Sequence, residues 1–233
     1  MTSIKWFGIV VMLIITALPV FCFGQETRVG GELWNRWTYE TGKSAADSSN
    51  VVKKNYFALE RGYFDLRTKF SEQTSARFTV DMFSTDMDGF KDGAGLKLKY
   101  GFVDFNDLTP IPDLTITAGL QKVFFGTIYD WNYTLIGKDP VDEYKIANSA
   151  DFGLTANGFL PEGLGEYAVG IYNGEGYKVF GKNLKDNTDF AYLANLRLTP
   201  IAGVTVGGSY MLTTVEREKK LSDNSINSSY QEH

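Results

Sequence analysis

Six cations stand at positions where spacing matters. Arg61, Arg67 and Lys69 lie in YFALERGYFDLRTKF, Arg77 in TSARFTVDM, and Lys97 and Lys99 in LKLKYGF. Apolar residues alternate with them, Phe64 and Leu66 in the first stretch, Phe78 and Val80 in the second, Leu96 and Leu98 in the third. A period of two puts the two sets on opposite faces of strands. Cations on successive strands would form a positive strip, which lowers the electrostatic barrier to an anion, and guanidinium offers forked contacts to phosphate or carboxylate. Asp65 and Asp81 share those faces. If the cations are spent on these two acids, the strip is only a wetted wall.

A second group sits in the longest interruption of strand pattern, about 122–150. Tyr129, Asp130, Trp131, Lys138, Asp142, Glu143 and Lys145 mix aromatics with charges there. Long loops without a packing role are usually polar throughout. The aromatics therefore predict a loop folded inward against a wall, with its charges facing a passage; the alternative is an outward, solvated loop.

Other chemistry fails on residue type. The only His is His233, so a Ser-His-Asp triad, a His-ligated zinc and an imidazole base lack their central residue, and no enzyme, metal or cofactor is expected. Asp142-Glu143 are adjacent and cannot hold the separation that two-carboxylate hydrolysis needs. Asp86, Asp88 and Asp92 resemble a calcium loop, but Phe90 and Lys97 occupy ligand positions. Gly176 to Lys182 imitates a phosphate-cradling loop, with Asn183 where Ser or Thr belongs and no helix pattern after it. A formal net charge of -5 argues against nucleic acid as a partner.

The elements that would position these groups follow from the chain in order. Residues 1–24 read as a secretory signal: Lys5, then the apolar run from Trp6 to Phe23, with Pro19 near its end and Gly24 before a polar switch. The only Cys, Cys22, lies inside it, so the mature chain has no disulfide framework. Alternating strands are expected at about 29–39, 56–70, 74–83, 96–105, 114–121, 151–157, 166–173, 189–198 and 204–215, with a polar loop over 40–54 and a charged tail from Glu216. Connections after the odd strands are long and polar; those after the even strands are short. An outer-membrane barrel sorts its loops in this way, short periplasmic turns against long extracellular loops. No mature segment approaches the roughly 20 apolar residues of a spanning helix.

The expected fold is all-β, a transmembrane antiparallel up-and-down β-barrel over 25–233. Nine strands is odd, whereas single-chain bacterial barrels are normally even. The sequence therefore reads as an N-terminal portion of a longer barrel of about 16–18 strands.

These residues resemble the phosphate-selective porin family of Gram-negative outer membranes. The likeness lies in RGYFDLRTKFSEQTSARFTVDM from Arg61, LKLKYGFVDFND from Leu96, LTITAGLQKVFFG from Leu114, and SADFGLTANG through YAVGIYNGEGY between Ser149 and Tyr177. It implies a homotrimeric, water-filled barrel in the bacterial outer membrane, in contact with its lipid, with the loop after the fifth strand folded inward. The function expected is passive diffusion of small solutes, with anions favoured if the cations of the wall outnumber their acids. The competing expectation is a non-conducting structural or adhesion barrel whose extracellular loops bind a partner.

Overall fold

A computed structural model describes residues 26–46, 49–85, 93–131, 137–178, 190–213, 215–220 and 226–232. The signal segment with Cys22, the Asp86, Asp88 and Asp92 loop, the Gly181 to Asn183 stretch and His233 lie outside them.

Nine strands follow in order: β1 (Glu26–Lys43), β2 (Asn50–Lys69), β3 (Thr74–Thr85), β4 (Gly93–Asn106), β5 (Thr115–Lys122), β6 (Ala150–Leu160), β7 (Gly165–Tyr172), β8 (Ala191–Ile201) and β9 (Val204–Leu212). Each pairs antiparallel with the next in one up-and-down sheet. The sheet is not closed: among the described residues β1 pairs only with β2 and β9 only with β8. The charged tail folds as a separate hairpin, β10 (Val215–Lys220) with β11 (Ile226–Glu232). A single turn of helix, α1 (Pro140–Glu143), interrupts the segment between β5 and β6.

Burial is inverted with respect to a water-soluble sheet. One face carries buried polar side chains: Thr79 and Thr155 are 1% exposed, Gln121 1% and Asn195 5%. The other carries exposed apolar ones, among them Leu96 at 68% and Val206 at 62%. Register joins these into ladders. Leu154 pairs with Ile171, Ile171 with Tyr192, and Tyr192 with Leu212, an apolar row across four strands. Val29, Leu66 and Phe78 form a similar row across β1, β2 and β3.

Two expectations need correction. The stretch from Glu40 to Lys54 is not a long loop; strands run to Lys43 and resume at Asn50. Glu40 stands opposite Lys54 and pairs with it at 2.9 Å, and the Trp37 ring stacks on Phe57 with centroids 6.4 Å apart. This ribbon rises beyond β3, which meets β2 only from Gly62 to Lys69. Polar residues on a two-stranded ribbon can be wet on both faces, so no alternation marks it. The second correction concerns β4. Thr79 pairs with Tyr100 but Val80 with Leu98, leaving Lys99 as an extra residue in a bulge. Strict alternation would turn Tyr100 and Phe102 outward with Leu96 and Leu98; the bulge resets the register and places them opposite Thr79 and Arg77, on the polar face.

Strand β5 lies close to β4 at one point. Gly119 has φ 121°, and a Cβ there would collide with the Gly101 carbonyl oxygen. Glycine alone satisfies both demands.

Candidate functional site

The polar face of β2 to β4 holds the cations of the sequence pattern, and most are matched by acids. Asp65 accepts from Arg77 Nη2 at 3.0 and 3.1 Å, from Arg67 at 3.4 Å, and from the Thr79 hydroxyl. Arg67 and Arg77 face each other directly across the β2–β3 register, so the shared carboxylate separates two like charges. Arg61 lies 3.5 Å from Asp81, whose side chain is fully buried and has no hydrogen-bond partner among the described residues. Lys69 pairs with Glu72 at the turn, at 2.9 Å. Lys97 sits over the Phe83 ring at 3.6 Å, and the bulge directs Lys99 to the Ser149 hydroxyl and the face of Tyr177. Setting the turn pair aside, five cations (Arg61, Arg67, Arg77, Lys97, Lys99) meet four acids (Glu60, Asp65, Asp81, Asp104) on this face of β2 to β4. Pairing is real, but a positive surplus remains.

Residues 123–131 lie across the polar face of the later strands. Their start is apolar: Val123 belongs to a cluster with Tyr172, Ala191 and Leu193, and Phe124 and Phe125 pack on it. Gly126 N–H donates to Ser209 Oγ on β9 at 2.9 Å. Tyr129 is the main fastening. Its hydroxyl donates to Glu166 of β7 and accepts from Arg197 Nη1 of β8 at 2.6 Å and from Asn195 Nδ2 at 3.3 Å. Arg197 Nη1 also reaches Asp130 at 2.7 Å and Glu166 at 2.9 Å. Burial first, and the Glu166 carboxylate second, push the Tyr129 hydroxyl up to about 12, so it stays protonated and can donate. Asp139 caps α1 through Val141 N–H at 2.7 Å and accepts from the Thr127 hydroxyl at 2.5 Å, joining the two legs of the loop.

Two cavities flank this loop. The larger, about 690 Å³, lies toward β1 to β4 and is lined by Arg36, Arg61, Arg67, Arg77, Lys99, Lys122 and Lys138 against Glu32, Glu60, Asp65, Asp139 and Asp142, with Trp34, Tyr63, Tyr100, Tyr129 and Trp131 between them. The smaller, about 400 Å³, lies toward the β4–β5 and β6–β7 turns and is lined by Asp104, Asn106, Thr115, Thr117, Asn157, Glu166 and Asn195 with Phe102, Phe124 and Tyr167. Lys122 and Tyr129 line both and stand at the partition between them.

Of the residues expected from the sequence, Arg61, Arg67, Arg77, Lys99, Tyr129, Trp131, Lys138 and Asp142 meet at the larger cavity, and Asp130 lines the smaller. Lys69, Lys97, Glu143 and Lys145 line neither; Glu143 pairs with Lys138 at 3.6 Å and Lys145 is exposed. Sequence reasoning missed Arg197 and Glu166, although alternation with Leu196 and Leu198 already turned Arg197 to the polar face. It also missed Lys122, which by parity with Gln121 belongs outside; the strand ends there and the chain turns inward. The Lys122 ammonium makes no hydrogen bond or ion pair among the described residues, while its carbonyl accepts from the Tyr172 hydroxyl at 2.9 Å.

No family model matches this chain, no curated protein matches it, and no solved structure matches it.

Proposed function

We propose that this sheet is wall of a water-filled outer-membrane channel for passive diffusion of small solutes, anion-preferring, of the phosphate-selective porin type. One observation carries this reading. Apolar rows run along one face of β1 to β3 and of β6 to β9, the opposite face buries hydroxyls, amides and ion pairs, and a long loop is fastened to that polar face with a cavity on each side. Soluble proteins rarely expose contiguous apolar surface of this extent, whereas lipid in contact with a barrel wall requires it. The positive surplus along β2 to β4 and the unpaired Lys122 ammonium at the partition favour anions. Export through a leader at 1–24 and assembly as a homotrimer belong to the same proposal and rest on the leader pattern and the family resemblance.

The test is reconstitution of the purified protein in planar bilayers. Discrete conductance steps are expected, with a reversal potential of anion sign in asymmetric salt. Exchanging Arg67 and Arg77 together for Glu should weaken or reverse that sign. Protein that inserts but never conducts would leave the second reading, a non-conducting adhesion barrel. The β1–β2 ribbon favours that alternative, since it carries exposed Trp37, Tyr39 and Phe57 beyond the edge of β3.

A further inference from the structure

The smaller cavity differs in chemistry from the larger one. We propose that it is a subsite for neutral polyhydroxylated solutes, mono- or disaccharides, placed in series with the cationic cavity. This rests on the channel reading above.

Four polar side chains carry the inference: Asp104, Asn106, Asn157 and Glu166. Each is held on one side and left with capacity on the other. Asp104 Oδ1 accepts from the Thr117 hydroxyl at 2.6 Å, and Asn106 Oδ1 accepts from the Thr115 hydroxyl at 2.7 Å. Asn157 Nδ2 points to the Thr115 carbonyl at 3.4 Å, and Glu166 Oε1 is shared by Tyr129 and Arg197. Among the described residues no hydrogen bond engages Asp104 Oδ2, Asn106 Nδ2, Asn157 Oδ1 or Glu166 Oε2. Fixed planar amides and carboxylates with spare acceptors and a spare donor suit hydroxyl groups, which donate and accept at once. Phe102 and Tyr167 supply apolar faces for the C–H side of a sugar ring, and a volume of about 400 Å³ is within the range of small-ligand clefts.

Charge selects the class of ligand. Asp104, Asp130 and Glu166 on the lining disfavour an anion, while Lys122 at the partition and Arg197, bound to Asp130 and Glu166 from behind, offset most of that negative charge and leave little to hold a cation. A neutral solute can use every spare hydrogen-bonding group.

The experiment uses the full chain in detergent, with glucose and maltose as probes and saturation-transfer NMR as the readout, because this detects binding whether or not the protein conducts. Saturation transfer to both sugars is expected. Asp104→Ala with Asn157→Ala should weaken it about tenfold, the loss of one or two net hydrogen bonds. If that double variant does not fold, the near-isosteric single variant Asn157→Leu takes its place, with outward-facing Val169→Ala as the control that binds as the parent does. Absence of transfer, or transfer indifferent to these substitutions, overturns the proposal. Bilayer recording on the same preparation separates the two readings: conduction without sugar binding removes the subsite alone, and sugar binding without conduction removes the channel alone.

Discussion

Tyr129 joins more of this site than any other side chain, and its protonation state decides whether it can. Its pKa is raised from 10.0 to about 12, so the folded state retains a proton that the unfolded chain loses first. The contribution is therefore complete below the ordinary tyrosine range and declines as pH rises from there through about 12. In an ultraviolet titration Tyr129→Phe should show one late-ionising tyrosine fewer than the parent protein. A change in channel conductance is expected in that alkaline window, and Tyr129→Phe should lack it. Asp65 supports a second prediction. Asp65→Asn leaves Arg67 and Arg77 opposed across the β2–β3 register without their shared counter-charge. A loss of about 2 kcal/mol in stability follows from stranding a partly buried pair, read by denaturant unfolding, together with a stronger anion sign in the reversal potential.

Strands carry the second level. Ile171 sits in the outward ladder between Leu154 and Tyr192, so Ile171→Lys should cost roughly 2–4 kcal/mol where it meets the middle of a bilayer. The measurement is the yield of folded protein in vesicles, and Thr155→Ser on the opposite face should leave that yield near the parent value. Much of this level was legible in the sequence. Alternation located nine strands and assigned faces to Phe64, Leu66, Phe78, Val80, Leu196 and Leu198, because an i, i+2 pattern reports a local property of the backbone. Tyr100 and Phe102 were not legible: a bulge moves everything after it by one residue, and nothing in LKLKYGF announces the extra residue. Glu40 and Lys54 were not legible either, because their pairing is a cross-strand contact that polarity disguises as loop. The partners of Tyr129 were beyond reach for a further reason, since they depend on which later strands curve beneath the loop.

At the scale of the whole molecule the connections still sort by side, though less sharply than the sequence suggests. The short links 70–73, 161–164 and 202–203 lie at one end of the sheet, and the long links 123–149 and 173–190 at the other. A cysteine introduced at Gln73 should resist a membrane-impermeant thiol reagent on intact cells, whereas one at Ala46, in the β1–β2 turn, should react. Reaction at Gln73 would invert the orientation.

The fastening of loop 123–149 also dictates an order of events. Gly126 finds its partner 83 residues later, and Tyr129 finds Glu166 and Arg197 at separations of 37 and 68. A loop made early in the chain therefore has nothing to hold until β7, β8 and β9 are in place, and closures of such long range are slow. The later strands of the sheet must be in place before the loop can settle on its polar face. During assembly the loop is the last part to find its place, and a protease should cut within it only before the final strands have joined.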